Sequence, residues 1–163
     1  MTKWMNKSIS ELHELLVKKE VTASELVEDC IQGVLSDTCN SFEATCFDKA
    51  REEAKKITEV KEEEFLKGIP YLCKDNFSVK GLETTASSNI LNGYVPLFDA
   101  TVITKLKRAG MIMVAHTTMD ELAMGGTGTT GKKGVTCNPY DSSRIVGGSS
   151  CGSASSLALG TAP

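Results

Sequence analysis

The stretch DATVITKLKRAGMIMVA, Asp99 to Ala115, decides the fold class. Its first half places Val102, Ile103 and Leu106 at helical spacing behind Asp99, a residue type suited to an N-cap, and Gly110 supplies a stop. Its second half, Met111 to Ala115, is a short unbroken apolar run of the length of a buried strand. A helix that runs directly into a buried strand is the repeating unit of an α/β sheet, so the expected class is α/β.

Working upstream, Ile69-Pro70-Tyr71-Leu72-Cys73 reads as a second buried strand, which delivers Lys74-Asp75-Asn76 at its end. Strand ends on a sheet scaffold are where working residues gather, which singles out Lys74. A turn-rich stretch through Thr84, Thr85, Ser87 and Ser88 joins this strand to the helix at Asp99. Earlier still, Ser8-Ile9-Ser10-Glu11 and Thr22-Ala23-Ser24-Glu25 each match a capping box and open two helices, with Leu12, Leu15, Leu16 and then Leu26, Val27, Cys30, Ile31 on their apolar faces. Phe42 to Phe47 reads as a short strand. Asp48 to Leu66 reads as a charged, solvated helix with Ala50, Ala54, Ile57 and Phe65 on one stripe, stopped by Gly68. The expected division is a helical N-terminal arm with its charged helix over 1–66 and a sheet core over 67–163.

Downstream, Met119 to Met124 reads as a short helix and Gly125 to Gly134 as a loop. Gly126-x-x-x-x-Gly131-Lys132 imitates a phosphate-binding loop, but Lys133 stands where a magnesium-binding hydroxyl belongs and a helix precedes it instead of a strand. A lysine-tipped surface loop is the expectation. Asn138 to Arg144 form a turn cluster. Gly147-Gly148-Ser149-Ser150-Cys151-Gly152-Ser153-Ala154 then presents serines behind two glycines, where the chain passes into a small-residue helix with Leu157 and Leu159.

Composition bounds the chemistry. The chain has 163 residues, is 40% hydrophobic and 24% charged, and carries a net charge of −3, with no apolar run long enough to span a membrane and no secretory signal at its start. A cytoplasmic location is expected, and the acidic balance argues against a broad nucleic-acid footprint, so any tRNA would be held mainly by a partner. The six cysteines show no C-x-x-C pair and the two histidines, His13 and His116, lack nearby partners, so free buried thiols and no metal are expected. Gly160-Thr161-Ala162-Pro163 closes an apolar helix without a polar cap and reads as an interruption.

A serine hydroxyl beside an amine can carry acyl transfer without histidine, and an amine takes a proton only in its neutral form. Lys74 and Ser149 are the candidates, provided the fold brings the two strand ends together.

KDNFSVKG (Lys74 to Gly81), TTASS (Thr84 to Ser88), DATVITKLKRAG (Asp99 to Gly110), MDELAMG (Met119 to Gly125), NPYDSSR (Asn138 to Arg144) and GGSSCGSA (Gly147 to Ala154), in this order, resemble the amidase signature family, and within it the glutamine-hydrolysing A subunits of tRNA-dependent amidotransferases. The resemblance implies a mixed sheet covered by helices on both faces, of which this sequence supplies the N-terminal part. It implies a Ser-cisSer-Lys triad in which Lys74 is the lysine and Ser149, preceded by a cis peptide, is the bridging serine that relays a proton. The nucleophilic serine, its oxyanion hole and the groups that grip glutamine are expected in a motif beyond Pro163. Met124 and Gly125 are implied as lining the substrate pocket, against the alternative of helix C-cap packing. No cofactor is expected on this chain; ATP and magnesium would belong to a B subunit, and a C subunit would embrace A and B. Two departures stand out: Cys151 and Gly126 occupy places where the family has glycine and serine.

Overall fold

The computed structural model describes residues 2–163. Among the described residues, five helices and three strands follow in the order α1 (Ile9–Val17), α2 (Ala23–Leu35), β1 (Phe42–Thr45), α3 (Phe47–Lys55), β2 (Pro70–Lys74), α4 (Thr101–Arg108), β3 (Ile112–Thr117) and α5 (Cys151–Ala158), with short 3-10 turns at Asn89–Leu91 and Glu121–Ala123.

The first two helices start where their sequences direct. Ser8 and Thr22 each accept the backbone N–H three residues on, while Glu11 and Glu25 reach back to the cap N–H groups, so both capping boxes are complete. Their apolar faces pack Leu12, Leu16, Leu26, Val27 and Ile31 into one core with Ala50 and Ala54 of α3.

The charged segment departs from expectation. The helix α3 ends at Lys55 instead of continuing to Leu66. The reason is tertiary: Val60 is buried at 6% exposure in the α1/α2 core with Ile57 beside it, so the chain leaves the helical path to reach that core. A turn closed by Glu64 N–H on Lys61 O, with Lys61 N–H on the Glu64 carboxylate, then leads to Gly68.

The sheet has the order β1-β3-β2, with β3 parallel to β2 and antiparallel to β1. It is a mixed sheet, and β3 at its centre is buried along its whole length. Alternation along β3 sends Ile112 and Val114 into the α1/α2 core, and Met113 into a second cluster with Tyr71, Cys73, Val79 and Ile103 of α4. Helices therefore cover both faces. Each of these fully buried side chains contributes about 1.5–3 kcal/mol by leaving water.

Strand β3 runs two residues past the expected Ala115 and so carries His116 and Thr117 to its C-terminal end. Ala100, not Asp99, precedes the first turn of α4, and no side chain caps that end. The Asp99 carboxylate instead accepts the Lys80 N–H at 2.8 Å and the Lys107 ammonium at 2.6 Å, tying α4 to the turn after β2. Gly110, at φ +81°, ends α4 as expected: its N–H bonds Lys107 O and the Met111 N–H bonds Leu106 O, the Schellman pattern.

One cysteine expectation is overturned. Cys39 and Cys137 are joined in a disulfide, leaving Cys30, Cys46, Cys73 and Cys151 free. The two lie 98 residues apart, so no local spacing could show the pair. Among the described residues, no helix is long and apolar enough to cross a membrane.

Candidate active site

Parallel pairing of β2 with β3 sets Lys74 opposite Thr117 at the C-terminal ends of the two strands. The start of α5 is bound to the same ends. Gly152 N–H donates to Thr118 O at 3.1 Å, and the hydroxyls of Thr117 and Ser153 meet at 2.7 Å. Gly152 is required for that approach, because a Cβ there would overlap the Ser41 carbonyl and Thr118.

This packing brings Lys74 and Ser149 together across 75 residues of sequence: the Lys74 Nζ donates to Ser149 Oγ at 2.8 Å and equally to Ser150 Oγ at 2.8 Å. The Gly148–Ser149 peptide is cis. Sequence reasoning misses Ser150, although it sits one residue along the same motif. Ser153, Ser155 and Ser156 are engaged elsewhere, with Thr117, Ser41 and the Ser153 carbonyl respectively. Cys151 is the first residue of α5 and is buried at 1% exposure, without a left-handed φ, so a side chain is accommodated at this place.

Two buried carboxylates hold the surroundings of this pair. Asp120 donates its own N–H to Ser149 O at 3.0 Å. Its carboxylate gathers the N–H groups of Gly128 at 3.0 Å, Thr129 at 3.1 Å and Thr130 at 3.3 Å, with the Thr130 hydroxyl at 3.0 Å. Burial pushes the Asp120 carboxyl up, but these donors outweigh it and hold it below its ordinary value. They also explain the false phosphate loop: the amides that would cradle a phosphate already face Asp120, and Lys132 and Lys133 are bonded to Asn92 and to the Phe42 and Glu43 carbonyls.

Asp75, next to Lys74, does the same for the TTASS loop. It accepts the Thr85 N–H, the Thr85 hydroxyl at 2.7 Å and the Ser87 N–H at 3.0 Å, and lies 2.9 Å from His116 Nδ1. Burial again pushes this carboxyl up, while His116, Ser87 and Thr85 outweigh it and hold it low. His116 thus has a partner, on the neighbouring strand's end, that sequence spacing does not reveal. Ala86 and Ser87, both at φ 49°, take the left-handed turn that wraps the carboxylate.

Of the two residues implied for the pocket, Gly125 packs against Asp120, whose Cγ would stand 2.5 Å from a Cβ at that position, so it borders the Ser149 turn. Met124 is 84% exposed. Gly126 has open space around it, room enough for a serine side chain.

Known proteins share this sequence and fold. A family model described as Amidase matches residues 25–163. The chain is 45% identical over 159 residues to the A subunit of glutamyl-tRNA(Gln) amidotransferase from Streptococcus pneumoniae, covering 95% of this chain and 33% of that protein. The crystal structure of the corresponding A subunit of glutamyl-tRNA(Gln) amidotransferase from Thermotoga maritima superimposes with a TM-score of 0.80 at 30% identity, over 99% of this chain and 34% of that one. A 6-aminohexanoate cyclic dimer hydrolase in complex with substrate gives a TM-score of 0.87 at 27% identity, over 98% of this chain and 33% of that one. The chain therefore spans about a third of the length of the curated relatives it matches.

Proposed function

Because the chain belongs to the amidase family, we propose that it carries the lysine and bridging-serine half of a glutamine-hydrolysing site, as part of the A subunit of a glutamyl-tRNA(Gln) or aspartyl-tRNA(Asn) amidotransferase. The observation that carries the reading is the 2.8 Å bond between Lys74 Nζ and Ser149 Oγ.

In this reading Lys74, as the neutral amine, accepts a proton from Ser149. Ser149 in turn takes one from a nucleophilic serine supplied by the remaining length of the protein. The nucleophile attacks the glutamine amide carbon and the tetrahedral intermediate collapses. The same relay run backwards delivers the proton to the departing ammonia, leaving an acyl-enzyme that water hydrolyses to glutamate. The Asp120 N–H on Ser149 O and the Asp75 cage beside Lys74 hold the two reacting side chains in register.

The ammonia would pass to a B subunit that uses ATP and magnesium to activate misacylated tRNA, with a C subunit bound to both, in a cytoplasmic ligase complex of protein synthesis. A nucleophile outside these residues means that residues 1–163 alone do not hydrolyse glutamine. The test is ammonia release from glutamine by the full chain, with and without the partner subunits. Stimulation by the partners and by misacylated tRNA supports the reading. Partner-independent hydrolysis of small linear or cyclic amides, with glutamine untouched, would replace it by the second reading, favoured by the likeness to the cyclic dimer hydrolase.

A further inference from the structure

The disulfide between Cys39 and Cys137 ties the α2–β1 connection to the segment that leads to Ser149. Cys39 lies in the connection from α2 to β1. Cys137 ends the loop that encloses Asp120 and bridges to Ile145, two residues before Gly147. From Cys137 the hydrogen bonding runs to the site by two routes. One passes through the Cys137–Ile145 bridge directly into the Gly147 turn. The other passes from Thr136 N–H to Gly128 O, from Gly128 N–H to Asp120, and from Asp120 N–H to Ser149 O.

Apart from the disulfide, this loop is held to the α2–β1 connection by the Cys137 N–H on Cys39 O, the Thr136 hydroxyl on Asn40 O, and the Asn40 amide on the Lys133 and Val135 carbonyls, the last two exposed. Cys39 is buried and Cys137 half-buried, so the Cys137 end is the more accessible side of the bond. Where disulfides occur in reducing compartments, they are commonly transient or redox-sensing.

We propose that Cys39–Cys137 is a site of thiol–disulfide exchange with a dithiol reductant, and that its redox state sets the order of the turn carrying Ser149. A thiolate of the reductant attacks the Cys137 sulfur, forming a mixed disulfide and releasing Cys39 as thiolate. The second thiolate of the reductant attacks its own sulfur in that mixed bond and releases Cys137. The reductant leaves as a disulfide, having given two electrons, and both cysteines end as thiols once protonated. The loop 125–137 then loses its one covalent tie to the α2–β1 connection and is held by hydrogen bonds alone, to that connection, to β1 and to Asp120, and the Ser149 turn loosens with it. The inference takes the Lys74–Ser149 site from the reading above, but its primary readout does not depend on which amide is cleaved.

The experiment poises the full chain in reduced and oxidised dithiothreitol, counts the thiols at Cys39 and Cys137 by alkylation and mass, and follows amide hydrogen exchange. On reduction, exchange across residues 125–149 is expected to quicken at least tenfold, with β3 unchanged, and glutamine hydrolysis to fall several-fold and recover on reoxidation. Cys39→Ser and Cys137→Ser should each exchange like the reduced protein and ignore the dithiol. If either variant fails to fold, the unaltered protein still gives the comparison. A redox-dependent change in exchange without glutamine hydrolysis in either state supports the exchange site while removing the glutaminase reading. Failure of the two cysteines to join in oxidised dithiothreitol, or identical exchange at 125–149 in both states, overturns the inference.

Discussion

The carboxylate of Asp120 fills the space that a side chain at Gly148 would need. The Ser149 turn and the loop over Gly128 to Thr130 are thus two halves of one packed unit with Asp120 between them. Gly148→Ala must push the carboxylate off its donors or shift the turn away from Lys74, a form of overpacking that costs about 1–3 kcal/mol. Denaturant unfolding should show that loss, and activity in the full chain should fall by more than stability does. An alanine variant as stable and as active as the parent would refute the packing.

Lys74 and Ser149 should behave as reacting groups. In the full chain, Lys74→Met and Ser149→Ala are each expected to lower turnover by about 10²–10⁴-fold, the range typical of a lost acid–base partner, with the unfolding midpoint nearly unchanged. Ser150→Ala removes only the second acceptor of the Lys74 Nζ and should cost less, on the order of tenfold. Steady-state ammonia release separates the three, and Ser150→Ala proving the worst would move the relay to that residue.

Asp75 should mark the acid side of stability. Its folded pKa lies below the ordinary 3.8, because the donors from His116, Ser87 and Thr85 exceed the cost of burial. The stability it contributes is therefore present above the unfolded value and is lost as pH falls through the folded one. Asp75→Asn should be destabilised at pH 7, and the gap to the parent should narrow in urea titrations carried below pH 4. A gap independent of pH would contradict this.

Glu43 should show the opposite sign. Its carboxylate, on β1, is buried with neither oxygen in hydrogen-bonding geometry to a donor, and the Lys133 ammonium stands at 3.8 Å. Burial pushes its pKa above 4.5, only partly opposed by Ser87 and Lys133 nearby. The folded state thus holds the proton more tightly, and ionisation costs stability as pH rises from the unfolded value through the folded one. Glu43→Gln should be more stable than the parent at pH 7 and equal to it near pH 3. Equal stability at both values would argue against a charged Glu43 buried without hydrogen-bond donors.

Replacing both Cys39 and Cys137 by serine should lower stability under oxidising conditions by about 2–5 kcal/mol, since the bond closes a long stretch of chain in the unfolded state. In dithiothreitol, parent and variant should unfold at the same midpoint. A difference that persists under reduction would assign the loss to packing instead of the cross-link.

Much of the fold is legible because its signals are short-range. Capping boxes act over three residues, Gly110 stops a helix beside it, and a five-residue apolar run such as Ile69 to Cys73 can hardly be anything but strand or core. The same reading overextends α3, because helical periodicity continues through Ile57 while the tertiary core draws Val60 out of line. It also gives Asp99 to the helix cap, although a stronger partner, Lys107, lies across the helix.

By itself the sequence determined the α/β class, the place of Lys74 at a strand end and of Ser149 before a helix, and the order of motifs shared with the family. Only the tertiary structure decided that Ser150 shares the lysine, that Asp120 and Asp75 organise the loops around it, that His116 pairs with Asp75, and that Cys39 and Cys137 are joined. Propensity and periodicity express forces between neighbours in the chain. Each of these contacts joins residues well separated along it, which only the closing of the sheet and the loops packed on its end bring within bonding distance.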